Sequence, residues 1–356
     1  MMDTLSKIQI KKIKKSKIEN VDFQNIQFGK QFSDHMFSAD YKNGKWQNLS
    51  IEPYAPISLS PSCAVIHYGQ AVFEGMKAYK FNDGSISLFR PSENANRINI
   101  SAKRLCMPEI PQELFMEAVT QLIKIDADWV PKQEGCSLYI RPFLFASEEL
   151  LGVRPAEEYK FMIISSPVSS YYTGVVDVKI ETEYSRAAEG GVGFAKAAGN
   201  YASALYPAKL GQDKGYKQLI WTDAKTHQYI EESGTMNVMF LINNTLITPS
   251  LFHQTTLSGI TRDSVLTLAK EFGITIEERR VSVKEVVDAA KNNQLQDAFG
   301  TGTAATIAQI ASITFDDEKF VLPAIENRTV SNKIAERIQD IKRGRVEDKY
   351  NWIYKI

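Results

Sequence analysis

Lys196 stands in a stretch built almost wholly of small residues, Gly190-Gly-Val-Gly-Phe-Ala-Lys-Ala-Ala-Gly-Asn-Tyr201. From Arg186 to Tyr201 the only charged side chains are Arg186, Glu189 and Lys196. Glycine and alanine let the backbone come close to a ligand and leave the space around it open. A lysine held in a tight apolar site, with no carboxylate in its own segment, loses affinity for its proton and becomes an amine nucleophile. Such an amine is what a Schiff base with an aldehyde cofactor requires. A second chemical feature follows at Tyr229-Ile-Glu-Glu-Ser-Gly-Thr-Met-Asn-Val-Met-Phe-Leu-Ile242. The run reads as a strand, a turn at Ser233-Gly234 and another strand. Glu231 and Glu232 lie at the first strand's end, where one of them can point inward. A buried carboxylate needs a cationic partner. A protonated pyridine nitrogen would serve, and the ring would then act as an electron sink.

Further motifs run in order along nearly the whole chain. They are Phe28-Gly-Lys-Gln-Phe-Ser-Asp-His-Met36, His67-Tyr68, Phe73-Glu-Gly-Met-Lys-Ala-Tyr79, Leu88-Phe-Arg-Pro91 with Arg97, Leu138-Tyr-Ile-Arg-Pro142, Ser258-Gly-Ile-Thr-Arg262 and Phe299-Gly-Thr-Gly-Thr-Ala304. Together with Lys196-Ala-Ala-Gly-Asn-Tyr201 and Glu231-Glu-Ser-Gly-Thr-Met-Asn237, this order resembles the fold-type-IV pyridoxal-phosphate enzymes, and among them the branched-chain amino-acid aminotransferases. The resemblance implies a cofactor, pyridoxal 5'-phosphate, carried by Lys196, which would also shuttle the proton of the reaction. It implies that Glu232 pairs with the pyridine nitrogen and that Tyr201 meets the ring hydroxylate. Arg97, Thr235, Ile260, Thr261 and Thr303 complete the cofactor set. Two of these also have a reading of their own. Ser258 onward has the cap and apolar period of a helix start, whose free N–H groups suit an anion. Arg97 lies on an expected helix, Ser92 to Met107, and arginine suits a phosphate fork.

For the substrate, the resemblance points to Phe32, Tyr68, Phe73, Tyr139, Val153 and Tyr171 as the lining of an apolar side-chain pocket. Aromatic residues are also ordinary core residues, so composition does not separate the two roles. Arg141 would take the distal carboxylate of glutamate, and Thr303-Ala304 the substrate α-carboxylate. Tyr68 and Val153 would reach across from the second subunit of a homodimer. The implied activity is transfer of the amino group from leucine, isoleucine or valine to 2-oxoglutarate, leaving branched 2-oxo acids and L-glutamate. The chain departs from many animal members at Thr303-Ala-Ala-Thr-Ile-Ala308, where they carry a Cys-x-x-Cys thiol switch.

The elements that must hold these residues can be read from patterning. Lys42-Asn-Gly-Lys45 and Asn82-Asp-Gly-Ser85 mark hairpins. Helices are expected at Ser92–Met107, Pro111–Trp129, Tyr201–Leu210, Thr261–Phe272, Val283–Asn292 and Val330–Ile341, and strands at Cys136–Ala146, Tyr159–Ser166, Val176–Tyr184, Lys217–Asp223 and Val238–Ile242. Without a βαβ rhythm, the class is α+β. The expected domains are a mobile arm over 1–20, a smaller N-terminal domain over 21–166, a link over 167–178, and a larger C-terminal cofactor domain over 179–356, with the site in the cleft between them. Gly300-Thr-Gly-Thr-Ala-Ala305 also fits a dinucleotide-binding glycine motif. Leu295–Phe299, however, makes a poor buried strand before it, and the acid that should follow comes early.

Composition sets the remaining bounds. The 356 residues carry 42 basic and 42 acidic side chains, so no charge excess points to nucleic acid or a membrane surface. Three cysteines at wide spacing suggest neither a disulfide framework nor a zinc site, and the four histidines form no metal motif. His67 reads as a satisfied core histidine. The lysine-rich start lacks the arginine of a transit peptide and includes Asp3 and Glu19. A cytoplasmic enzyme is the expectation.

Overall fold

The computed structural model describes residues 7–23, 25–169 and 176–356. By contacts the chain divides into two compact units. The first gathers Met1–Tyr171, Ala195–Gly199 and Ile341–Ile356; the second gathers Tyr172–Phe194 and Asn200–Asp340. The Lys196 segment and the C-terminal residues therefore belong with the N-terminal part of the chain, although the sequence groups them with the C-terminal half.

The first unit is built on a nine-stranded sheet. Its order is Gln9–Ile10, Lys45–Pro53, His35–Lys42, Tyr159–Val168, Ser137–Ala146, Met76–Lys80, Ile86–Phe89 and Ile353–Lys355, with Ala71–Phe73 paired to Ser137–Ala146. The Asn-Gly hairpin forms as its residues dictate, with Asn43 at φ 53° and Gly44 at φ 77°. Helices Pro91–Arg104 and Gln112–Ile125 supply Ala95, Ile98, Ala102, Leu114, Phe115, Ala118 and Leu122 to a core shared with Phe37, Ile51 and Phe161. Met76 and Ala78 enter that core, whereas Lys77 and Tyr79 take the other face, the alternation a pleated strand imposes.

The second unit is built on ten strands. Met236–Ile242, Leu295–Gly302, Thr306–Phe315, Val176–Ile180, Gln218–Thr222 and Tyr229–Ser233 pair in turn, and the last pairs back to the first. The strands thus close on themselves, leaving no open edge along that circuit. Helix Val283–Lys291 starts on Ser282, whose Oγ accepts the N–H of Glu285 at 3.0 Å, a capping pair the sequence carries.

Several expectations change. Residues 7–20 do not form a free arm: Gln9 and Ile10 pair with Ser50 and Ile51, Ile8 is buried, and Lys17 N–H donates to Asp34 Oδ1 at 2.8 Å. Lysines that extend away from an edge strand leave its backbone able to pair, and the charge pattern hid this. The strand expected to end at Ser166 runs to Val168, with Pro167 opposite Leu138, so the link begins later than expected. Leu295–Gly302 is a buried strand after all, because the polar Asp297 is neutralised by Arg328. Its neighbours are antiparallel and no helix follows Gly302, so the dinucleotide-binding arrangement is not formed. His67 is exposed, and the buried histidine is His35, bonded to Asp126 at 2.6 Å. No helix among the described residues is long and apolar enough to cross a membrane.

Candidate active site

In the first unit the segment around Lys196 is pinned by its backbone. Lys196 N–H donates to Ser101 Oγ at 2.9 Å, and its carbonyl accepts the N–H of Phe73 at 3.1 Å. Ala197 bridges to Val72. The Lys196 side chain, half-buried, carries its Nζ 4.9 Å from the centre of the Phe73 ring. The Arg141 guanidinium lies 4.6 Å from the same ring and donates from Nη2 to Tyr139 Oη at 3.0 Å. One aromatic ring therefore lies against two cations. Tyr139 and Arg141 reach it from alternate positions of strand Ser137–Ala146, which sends them to one side.

The sequence offers Lys196 no acid in its own segment, but the fold supplies one. Glu74 is fully buried, and both its oxygens accept from Arg97, Nε to Oε1 at 2.7 Å and Nη2 to Oε2 at 2.8 Å. Asn94 Nδ2 adds a bond at 2.7 Å. Burial alone would raise the Glu74 carboxyl. The charge and hydrogen bonds of Arg97, the charge of Lys196 and the Asn94 amide outweigh it, and hold the group below the usual carboxylate range. The cluster counts two cations against one carboxylate.

The remaining residues of this unit fall in two places. Phe32 stacks on Tyr54 with centroids 4.9 Å apart, and Phe28 meets the Tyr139 ring edge-on at 5.1 Å. Tyr68 and Val153 are at the surface, Val153 being 89% exposed, and Tyr68 Oη donates to the Leu151 carbonyl at 2.7 Å. Tyr171 lies outside the described residues.

In the second unit the two acids are both buried, although the sequence suggested one would be. The cause is a slip in register: Ile220 faces Ser233 while Thr222 faces Ile230, so two steps on one strand oppose three on the other. A bulge of this kind re-aims side chains. Glu232 Oε1 accepts from Leu257 N–H at 2.7 Å and from Asn237 Nδ2 at 3.3 Å. Its Oε2 lies 3.2 Å from Arg186 Nε, a charge contact too bent to count as a hydrogen bond. Glu231 has an oxygen with no hydrogen-bond partner among the described residues, and burial pushes its carboxyl up to about 7 against the Thr255 hydroxyl and Arg186. Here two acids face one arginine.

Helix Ile260–Glu271 begins after Gly259, which supplies no side-chain cap, and buries Thr261 in its first turn. A Cβ on Gly259 would lie 1.9 Å from Asn237 Oδ1, so only glycine lets that start pass. Thr303 and Ala304 occupy the turn between Leu295–Gly302 and Thr306–Phe315. Thr306 closes it at φ 63°, a conformation costly for a β-branched residue. Tyr201 is half-buried on helix Ala198–Ser203, and Thr235 is exposed at the turn after Gly234.

The family model for amino-transferase class IV matches residues 71–313. A branched-chain-amino-acid transaminase of Bacillus subtilis is 44% identical over 343 residues, covering 95% of this chain and 96% of its own length. The chain belongs to this family of class IV aminotransferases. Among solved structures, the branched-chain aminotransferase of Escherichia coli superposes with a TM-score of 0.73 at 27% identity, over 90% of this chain and 98% of that one. That of Thermobaculum terrenum, solved in its PLP form, gives 0.73 at 23% over 90% and 98%, which supports the fold. The α+β, two-domain, fold-type-IV class read from the sequence therefore holds.

Three residues of this aminotransferase escaped the sequence reading: Glu74, Asn94 and Arg186. Glu74 had a signal, since it interrupts the apolar run Ala71-Val-Phe-Glu-Gly-Met, and a charge inside an apolar segment must be paired if that segment is buried. Arg186 is one of three charges in the glycine-rich region, and its partner lies 46 residues on, beyond the reach of local pattern.

Proposed function

We propose that this aminotransferase binds pyridoxal 5'-phosphate through Lys196 and moves amino groups between leucine, isoleucine or valine and 2-oxoglutarate. The observation that carries this reading is the Phe73 ring shared by the Lys196 amine and the Arg141 guanidinium. It puts a nucleophile, an apolar surface for a branched side chain, and a cation for a second carboxylate in one place. The residues also fit the cofactor. The buried Arg97 and the half-buried Lys196 against one carboxylate form a cation-rich cluster suited to a phosphate, and the Glu74 fork holds the Arg97 plane fixed. The start of helix Ile260–Glu271, with its buried Thr261, suits the same group. The Ser233 and Thr301 hydroxyls are buried without a hydrogen-bond partner among the described residues.

When bound, the cofactor supplies an electron sink for carbon–hydrogen bond cleavage. Lys196 Nζ would take the proton from the α-carbon of the donor amino acid and pass it on to the cofactor. In the second half-reaction it would deliver one to the α-carbon formed from the 2-oxo acid. Glu232 holds the pyridine nitrogen in its protonated form, and Tyr201 fixes the ring hydroxylate. Arg97, Ile260, Thr261, Thr303 and Thr235 hold the cofactor, and the Thr303-Ala304 backbone takes the α-carboxylate. Phe32, Phe73, Tyr139 and Tyr171 line the side-chain pocket. Tyr68 and Val153, exposed in one chain, are its lining from the partner in a homodimer. Arg141, steadied by Tyr139, binds the distal carboxylate of 2-oxoglutarate or glutamate. Serving both substrates in turn gives ping-pong kinetics.

An absorbance spectrum of the reconstituted protein tests this. L-Leucine should convert the visible cofactor band, and 2-oxoglutarate should restore it. A band moved by D-alanine and not by L-leucine would overturn the substrate. No band at all would remove Lys196 from its role.

A further inference from the structure

Arg186 ties together three pieces of the second unit. Its side chain is 9% exposed, and Nε contacts Glu232 Oε2 at 3.2 Å. Its Nη2 donates to the carbonyls of Gly193, at 3.3 Å, and Thr255. The guanidinium thus bridges the bulged strand, the glycine-rich run and the loop ahead of helix Ile260–Glu271. Gly193 has no room for any other residue, because a Cβ there would sit 2.6 Å from the Thr255 carbonyl oxygen. The three backbones are packed around the arginine at close range.

The electrostatic consequence falls on Glu232. Glu232 is 3% exposed, and Leu257 N–H and the Asn237 amide, which also meet its carboxylate, are dipoles without net charge. A buried carboxylate deprived of its counter-cation takes up a proton. A carboxylic acid with its own proton no longer holds a proton on a ring nitrogen facing it. Glu231 does not compete for the arginine in the same way. Burial raises its carboxyl to about 7, so it keeps its proton in a large share of molecules near neutrality, with the Thr255 hydroxyl as its neighbour.

We propose that Arg186 is a positioning residue: it keeps Glu232 a carboxylate of fixed orientation, so that the shared proton resides on the cofactor's pyridine nitrogen and not on Glu232. The inference rests on the role given to Glu232 above. No bond is made or broken by Arg186, and its effect reaches the reaction only through Glu232.

The test uses holoenzyme reconstituted with pyridoxal phosphate labelled with 15N in the ring. The nitrogen resonance is recorded for wild type, Arg186→Met and Glu232→Gln, with kcat and KM for leucine measured alongside. A protonated-type resonance is expected for wild type and a deprotonated-type resonance for both variants. In Arg186→Met, kcat should fall by at least ~10-fold while KM for leucine moves by less than about 3-fold, the pattern of an interaction expressed in the transition state. A wild-type resonance in Arg186→Met beside a shifted one in Glu232→Gln would overturn the role of Arg186 and leave Glu232 in place. No shift in either variant would remove Glu232 as the partner, and both readings would fall. If Arg186→Met does not fold, Arg186→Gln takes its place, since it can still donate to the Gly193 and Thr255 carbonyls but carries no charge. The same two outcomes then decide.

Discussion

The two carboxylate–arginine clusters, one in each unit, use the same groups in opposite proportion. In the first, Arg97 and Lys196 share Glu74; in the second, Glu231 and Glu232 share Arg186. The paired carboxylates Glu74 and Glu232 and their arginines are nearly or fully buried, so each charge there depends more on its protein partner than on water. The responses differ. Glu74, outnumbered by cations, is held ionised below the usual carboxylate range, and Glu231, the surplus acid, is driven up to about 7. A surplus cation invites an anion; a surplus acid either takes a proton or waits for a cation. The imbalances match the charges of the groups that the proposed cofactor would bring to each cluster, a contrast that a tally of the chain's 42 basic and 42 acidic residues conceals.

Substitutions can break this contrast. The largest effect is expected from Lys196→Ala, which removes the amine of the cation-rich cluster: turnover should fall by at least ~10²–10⁴-fold from the lost proton transfer alone. Retained turnover without added amine would place the chemistry elsewhere. Next comes Glu74→Gln, which strips that cluster of its only anion and should cost about 3–5 kcal/mol in urea unfolding near neutral pH. Because the Glu74 carboxyl is lowered by folding, its stabilisation is present above about 4.5, its unfolded value, and is lost as pH falls through the folded value. The penalty should therefore vanish in acid. The same substitution at Glu231 should act with the opposite sign. A carboxyl moved from 4.5 to about 7 contributes stability fully below 4.5 and loses it as pH rises through 7. At pH 8, Glu231→Gln should gain about 3 kcal/mol over wild type, and below pH 4.5 nothing. Equal signs for the two variants would refute the contrast. The smallest effect should come from Tyr139→Phe, which deletes the 3.0 Å bond from Arg141. Loss of about 1 kcal/mol should raise KM for 2-oxoglutarate several-fold and leave that for leucine in place. A parallel rise in both would assign the hydroxyl to the apolar pocket.

Much of the fold was legible because local pattern and tertiary packing agree. The helix expected over Thr261–Phe272 forms at Ile260–Glu271, and that over Val283–Asn292 at Val283–Lys291, where the apolar period and the Ser282 cap coincide. The Asn43-Gly44 turn forms because few other residues accept two left-handed positions in a row. Lys196 was legible from the emptiness around it. What could not be read was the pairing of charges distant in sequence. Nothing near Glu74 announces Arg97, and the bulge that buries both Glu231 and Glu232 is a property of the strand beside them. The lysines of residues 11–17 misled for a related reason: their charge describes where side chains go, whereas Asp34 takes Lys17 by its backbone.

The strand Ile353–Lys355 completes the first sheet against Ile86–Phe89, and nearby Ser87 bonds to the Lys342 carbonyl across 255 residues. During synthesis the earliest sheet must therefore wait, one border unfinished, while the whole second unit is translated. A chain released a few residues short would carry its defect at the opposite end of its sequence, in the strands that were made first.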